Sequence, residues 1–188
     1  MVLASYKQKC LLEEANIKID KVYFNSNQYN ENELRLIKLL KKKNIHFQKI
    51  SNEDFYVNNF YVKAVSYDLN NENDSSLMLI VKNKLSFLLM GDASTKSEAK
   101  LLNEYNLSNF NVLKVGHHGS YTSTGKELVN KIKTKFSLIS VGKNNLYHHP
   151  NKSVLDNLSN TKIYRTDENG SVIFKLKNNR LLIENYAP

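Results

Sequence analysis

Four of the five histidines fall in two adjacent pairs, His117-His118 and His148-His149, and each pair follows an apolar, strand-like run. Asp92 ends a third such run, LSFLLMGD. Imidazole nitrogens and carboxylate oxygens are the ligands of a catalytic zinc or similar ion, which usually takes three protein ligands and keeps one position for water. Asp92, with two oxygens, can supply one ligand or bridge two ions. In extended backbone neighbouring side chains point to opposite faces. One of His117 and His118 is therefore expected to bind metal while the other contacts substrate or packs, unless the turn at Gly119 rotates them together. His148 and His149 follow the same logic. Other readings stay open at this level. An Asp after Gly at a strand end is commonly a turn or helix-cap residue, and a His pair before Gly-Ser is commonly a neutral surface pair. His117, Ser120 and Asp92 also match the composition of a nucleophilic triad, although no strand-turn-helix elbow surrounds Ser120. His46 lies inside a strand pattern and is expected to be structural.

The elements that must position these groups follow from periodicity and turn chemistry. Leu3 to Ala15 reads as a helix ended by Asn16. Lys21 to Phe24 is a short strand, and Glu31 to Lys43 a helix with Leu34, Ile37 and Leu40 in helical spacing and acidic residues in its first turn. Ile45 to Ile50 returns as a strand. Phe55 to Val57, Tyr61 to Ser66, Leu77 to Val81 and Ser86 to Met90 are apolar or aromatic runs between Asn-rich turns, which predicts hairpins. After Asp92 the pattern changes. Ser94 or Thr95 caps a helix through Tyr105, with Glu98 placed for a capping box with Thr95. Thr124 to Glu127 carries a second capping-box signature, opening a helix to Ile132. Val112 to Val115 and Phe136 to Val141 are strands. Asn151 to Leu158 is a helix with Val154, Leu155 and Leu158 inward. Lys162 to Arg165, Val172 to Leu176 and Leu181 to Glu184 are closing strands, with turns at Glu168-Asn169-Gly170 and Asn178-Asn179. Hairpins followed by strand-helix alternation predict an α/β fold, α+β in detail, with helices outside sheets.

The 188 residues suit one domain, 41% of them are apolar, and no apolar run reaches the length of a membrane span. Met1 to Ala4 is apolar but Lys7 and Lys9 interrupt it, so no signal peptide is expected. Cys10 is the single cysteine, which excludes an internal disulfide and a thiolate cluster. The net charge of +9 comes from 27 Lys and Arg against 18 Asp and Glu. Only Lys41 to Lys43 forms a run, and the remaining basic residues are scattered, a pattern of solvated surface rather than a clustered nucleic-acid face.

The order DSSLML, FLLMGD, NVLKVGHHGSYTST, ISVGKNNLYHHP, VLDNL and YRTDENGSV resembles the carboxyl-terminal part of the metallo-β-lactamase-fold domain of ComEC-type competence proteins and related soluble hydrolases, over roughly Ile19 to Glu184. The resemblance implies an αββα sandwich holding one or two ions, zinc or manganese, that activate water against phosphodiesters or other esters. It makes Asp92 the metal-bridging Asp, His117-His118 the HHGS site and His149 the last metal-ligand His. Asn73 and Ser76 match a polar turn beside the site, and Asn145 and Asp167 further motif positions. Asn73, Ser76, Ser120, Asn145 and His148 become the candidate substrate-side residues. Two departures stand out. His148 replaces the family's Gly before the last His, which matters if that position has positive φ. The HxDxDH or HxHxDH loop has no counterpart, so the expectation is an incomplete sandwich in a single domain over residues 1–188, its first metal-binding segment missing.

Three functional expectations follow. The first is a competence-associated hydrolase of phosphodiesters, DNA among them, that binds metal weakly and turns over little by itself. The second is a non-catalytic DNA- or protein-binding module that keeps the fold, and the third a fragment complemented by another chain carrying the other half. The expected location is the cytoplasm, or the membrane if the chain belongs to a longer ComEC-type protein.

Overall fold

The computed structural model describes residues 18–25, 29–69, 71–178 and 180–186; the helix expected over Leu3 to Ala15 lies outside them. The fold is mixed α/β. Strands β1 (Lys21–Phe24) and β2 (His46–Lys49) pair in parallel, joined through helix α1 (Glu31–Lys42). Asn30 caps α1 by accepting from the Glu33 N–H while the Glu33 carboxylate accepts from the Asn30 N–H. Such a box is worth about 1 kcal/mol.

A seven-stranded sheet follows in the order β3 (Glu53–Val57), β4 (Phe60–Val65), β5 (Met78–Lys82), β6 (Ser86–Leu89), β7 (Val112–Lys114), β8 (Phe136–Ile139), β9 (Lys162–Arg165). From β3 to β6 the pairing is antiparallel, as the predicted hairpins require. From β6 to β9 it is parallel, registered Phe87 to Val112, Val112 to Phe136 and Phe136 to Lys162. Helices α2 (Thr95–Glu104), α3 (Lys126–Ile132) and α4 (Lys152–Asn157) make the crossovers. After the one-turn helix α5 (Thr166–Asn169), strands β10 (Ser171–Lys177) and β11 (Arg180–Tyr186) form an antiparallel hairpin.

Alternation along the strands decides which face each residue covers. Met78, Ile80, Leu88, Met90, Leu113 and Ile139 pack with Leu101, Leu128, Ile132 and Val154 of the crossover helices. Leu79, Val81 and Leu89 face the other way, toward Ile50 and Tyr23, where Tyr23 stacks on Phe55 at 5.2 Å. The same face takes the hairpin, whose Phe174 packs edge-on against Phe87. Val22 and Phe24 pack with Ile37 and Leu40 of α1 beyond that. The layers therefore run α1, β1-β2, seven-stranded sheet, crossover helices. Among the described residues no helix is long and apolar enough to cross a membrane.

Both expected capping boxes around the crossover helices are corrected. Ser94, not Thr95, caps α2, accepting from the Lys96 N–H. Helix α3 begins after Gly125 with no side-chain cap of its own, and Thr124 takes φ +56°. Glu98 serves α3 instead: its carboxylate accepts from the Thr124 and Gly125 N–H groups. The predicted turn at Glu168 to Gly170 is the end of α5, closed by Gly170 at φ +65°. His46 sits in β2, exposed.

Candidate functional site

Because β6, β7 and β8 are parallel, the segments that follow them emerge at one edge of the sheet, the edge where open α/β sheets carry their ligand sites. Asp92, the His117-His118 pair and the His148-His149 pair all belong to these segments. After β6 the chain turns at Gly91, φ +57°, where a Cβ would stand 3.1 Å from the Leu77 carbonyl oxygen. The Asp92 N–H donates to Ser76 Oγ at 3.1 Å, so Ser76 fixes the backbone from which the half-exposed Asp92 carboxylate projects.

After β7 the chain enters a tight turn, Gly116–Gly119, rather than continuing extended. His117 and His118 both take left-handed backbone, φ 43° and 55°, so the turn and not extended alternation sets where their side chains point. Left-handed non-glycine residues cost about 1–2 kcal/mol each. The turn is held by the His117 N–H donating to the Gly91 carbonyl at 2.9 Å and by Ser123 Oγ donating to the Gly116 carbonyl at 2.8 Å. Such strain concentrates at functional sites.

His118 shows what the turn achieves. Its Nδ1 lies 2.6 Å from the Ser140 carbonyl oxygen and must carry the proton, because a carbonyl only accepts. The other ring nitrogen, Nε2, faces Asp92 and lies 4.0 Å from Oδ1. A backbone carbonyl setting the tautomer of an imidazole whose other nitrogen faces a carboxylate is the arrangement of metal-binding histidines. His117 turns elsewhere. Its ring lies 6.0 Å from that of His149, and its Nδ1 is buried without a hydrogen-bond partner. A buried nitrogen left unpaired costs about 1–3 kcal/mol unless something else takes it.

The loop after β8 is shaped by Asn145, whose Oδ1 accepts from the His149 N–H and whose Nδ2 donates to the carbonyls of His149 and Gly142 at 2.8 and 3.1 Å. His148 takes φ 52°, so the position where the resembling family has Gly does lie in the left-handed region. His149 precedes a cis peptide to Pro150, and its ring stacks on Tyr147 at 5.8 Å. Burial, with His117 and His118 alongside, holds the His149 imidazole below its ordinary pKa and favours the neutral, ligating form. Asn145→Ala removes three hydrogen bonds from this loop. We expect a stability loss of about 1–2 kcal/mol in urea melts.

The remaining sequence-predicted residues divide. Ser120 is buried, its Oγ bonded to Thr122 Oγ1 at 3.1 Å, and so serves the loop. Asn73 lines a groove of about 530 Å3 together with Asp74, Ser94, Lys96, Tyr121 and Thr122. Asp167 is paired with Arg165 through two contacts of 3.1 and 2.6 Å. Sequence reasoning missed Lys114. This lysine interrupts the apolar run of β7, its Nζ donating to the Val115 carbonyl at 2.8 Å. Burial pushes its pKa down while the Asp92 charge pulls the other way.

As a metal cradle the residues fit in part: His118 Nε2 with Asp92 in one place, His117 with His149 in another. Among the described residues no three His, Cys, Asp or Glu side chains form a group that could hold an ion.

The chain is 39% identical over 120 residues, 62% of its length, to ComE operon protein 3 of Bacillus subtilis. It is 30% identical over 112 residues to Competence protein ComA of Neisseria gonorrhoeae, and 35% identical over 112 residues to Recombination protein 2 of Haemophilus influenzae, each match covering 58% of the chain. These matches span 16%, 16% and 14% of the respective relatives, about a sixth of their length. No family model matches the chain.

Proposed function

We propose that this chain supplies part of the metal site of a metallo-β-lactamase-type phosphodiester hydrolase acting in competence-associated DNA uptake. The observation that carries the reading is His118, its tautomer set by the Ser140 carbonyl and its Nε2 directed at Asp92. The four-layer order of helix, sheet, sheet and helices agrees with it, as do relatives named for competence and recombination.

When bound, zinc or manganese would supply a Lewis acid and an activated water. Asp92 and His118 would hold one ion, and His117 and His149 another. Ser76 and Asn145 keep the Asp92 and His149 backbones in place, and Lys114 adds positive charge within electrostatic reach of Asp92.

Two donors at each place are fewer than the three that an ion usually takes. We therefore expect weak zinc and manganese binding in calorimetry and little hydrolysis of bis-p-nitrophenyl phosphate or single-stranded DNA by this chain alone, with the residual binding reduced in His149→Ala, which removes one of the two places, and lost when Asp92→Ala is added. Tight stoichiometric binding with turnover that His149→Ala abolishes would show a complete site and refute the partial one. A non-catalytic DNA-binding module is the second reading, favoured by the short donor sets. It requires salt-dependent DNA binding that neither chelator nor His149→Ala alters.

A further inference from the structure

The parallel strands have a second edge, opposite the histidines, and its charge is the inverse of the first. At the amino ends of β6 to β9 the segments 82–86, 106–111, 133–136 and 158–162 are stitched into one ledge. The Asn111 N–H donates to the Ser86 carbonyl, the Phe136 N–H to the Asn111 carbonyl and the Lys162 N–H to the Lys135 carbonyl. These segments hold Lys82, Lys84, Lys133, Lys135 and Lys162, all exposed, and no Asp or Glu. Glu72, Asp74, Asp92 and Asp167 lie in connections at the histidine edge instead. Lysines scattered in the sequence are thus gathered in space.

The flanking layers add to this end. Because the Ser66 N–H donates to the Ser51 carbonyl, the carboxyl end of β2 lies at the histidine edge, which puts the end of α1, with the run Lys41 to Lys43, at the opposite one. Apolar side chains accompany the charge. Val57 and Phe60, 43% and 40% exposed, flank the β3-β4 turn, and β4 sets Tyr61 opposite Lys82. The hairpin β10-β11 runs from α5 past Phe174, which packs on Phe87 and Phe136, so that Leu176, 39% exposed, and Lys177 reach the same end.

We propose that this lysine end is a docking face for an anionic phospholipid bilayer, met with the histidine edge turned away from the lipid. Each lysine held beside an anionic leaflet gains about fivefold in affinity. Apolar groups at the hairpin tips gain further by entering the headgroup region. Aliphatic groups such as Val57 and Leu176 give unpaired bases no ring to stack on, which favours a lipid surface over a nucleic-acid strand.

The test is made without metal, so that its outcome is independent of the proposed hydrolytic site. The full chain is mixed with phosphatidylcholine vesicles, or with vesicles containing about 30% phosphatidylglycerol, at about 0.1 M salt, where charges at the far edge are screened. Bound protein is measured by co-sedimentation. The expected result is binding to the anionic vesicles about tenfold or more above the neutral ones, falling as salt rises. Lys133→Glu with Lys135→Glu should weaken it by about thirtyfold or more, whereas Lys96→Glu with Lys143→Glu, the same change of net charge at the histidine edge, should weaken it by less than about threefold. Phe60→Ser should weaken it about fivefold and leave its salt dependence unchanged. Melting curves establish that these exposed-site variants are folded. Equal binding to the two kinds of vesicle, or equal losses in the two charge-reversal pairs, overturns the docking face. So does an absence of vesicle binding together with single-stranded DNA binding that Lys133→Glu with Lys135→Glu abolishes, which assigns the ledge to nucleic acid.

Discussion

Gly119→Ala is expected to lower stability by about 3 kcal/mol or more and to disorganise the histidine cluster, although the change adds a single methyl group. Gly119 has φ +83°, where an L side chain is strained before any contact is counted. A Cβ there would stand 2.6 Å from Pro150 Cβ and 3.1 Å from Pro150 Cα, with Ile139 Cγ2 at 3.6 Å on another side. Pro150 cannot swing away as a lysine would, because its ring is closed on its own backbone. The relief available is separation of the HHGS turn from the His149 loop, which breaks the bond from the Asn151 N–H to the Gly119 carbonyl. Overpacking costs about 1–3 kcal/mol and a left-handed non-glycine about 1–2. Gly142→Ala is the control: it adds the same methyl group nearby, where nothing lies within 4 Å, and should be near neutral. Urea melts of the three proteins decide the matter. A Gly119→Ala midpoint equal to that of Gly142→Ala would mean that the two loops are not packed as described.

Periodicity made the three apolar runs and their polar termini legible, because β6, β7 and β8 are covered on both faces and read as continuous hydrophobic stretches. The edge at which Asp92, His117, His118 and His149 gather followed from that. The orientation of the imidazoles did not. Nothing in the letters HH announces left-handed backbone, which histidine adopts only when the surroundings enforce it, here through Gly91, Gly116 and Ser123. His148 is a partial exception, since comparison with a glycine in the resembling family flagged its φ. Lys114 went unrecognised because a lysine inside an apolar run looks like an interruption, not a half-buried cation held on a backbone carbonyl. The capping boxes failed for another reason. A local pattern search matches Thr95 with Glu98 and Thr124 with Glu127, whereas Glu98 caps a chain segment 26 and 27 residues away. Only tertiary packing brings those groups together.

That long-range cap carries the second large effect. Glu98 is buried on α2, and its two carboxylate oxygens take the N–H groups of Thr124 and Gly125 at the start of α3. With Thr124 left-handed and Gly125 lacking a side chain, nothing local can replace it. Glu98→Ala should cost about 3 kcal/mol, since each stranded buried donor costs about 1–3. Glu98→Gln keeps an acceptor for one donor and turns an NH2 group toward the other, so about half that loss is expected. Acidity separates this role from simple packing. Burial raises the Glu98 pKa against the opposing pull of the Gly125 and Thr124 N–H groups, so the native state binds its proton more tightly than the unfolded chain does. The resulting contribution to stability is fully present below the unfolded value of about 4.3 and is lost as pH rises through the higher folded value. Wild type should therefore gain on Glu98→Gln between pH 7 and pH 4, measured as the difference in unfolding free energy. A difference that stays flat would mean that the carboxylate is solvated, and one that moves the other way would mean that the Thr124 and Gly125 N–H groups outweigh burial in setting its acidity.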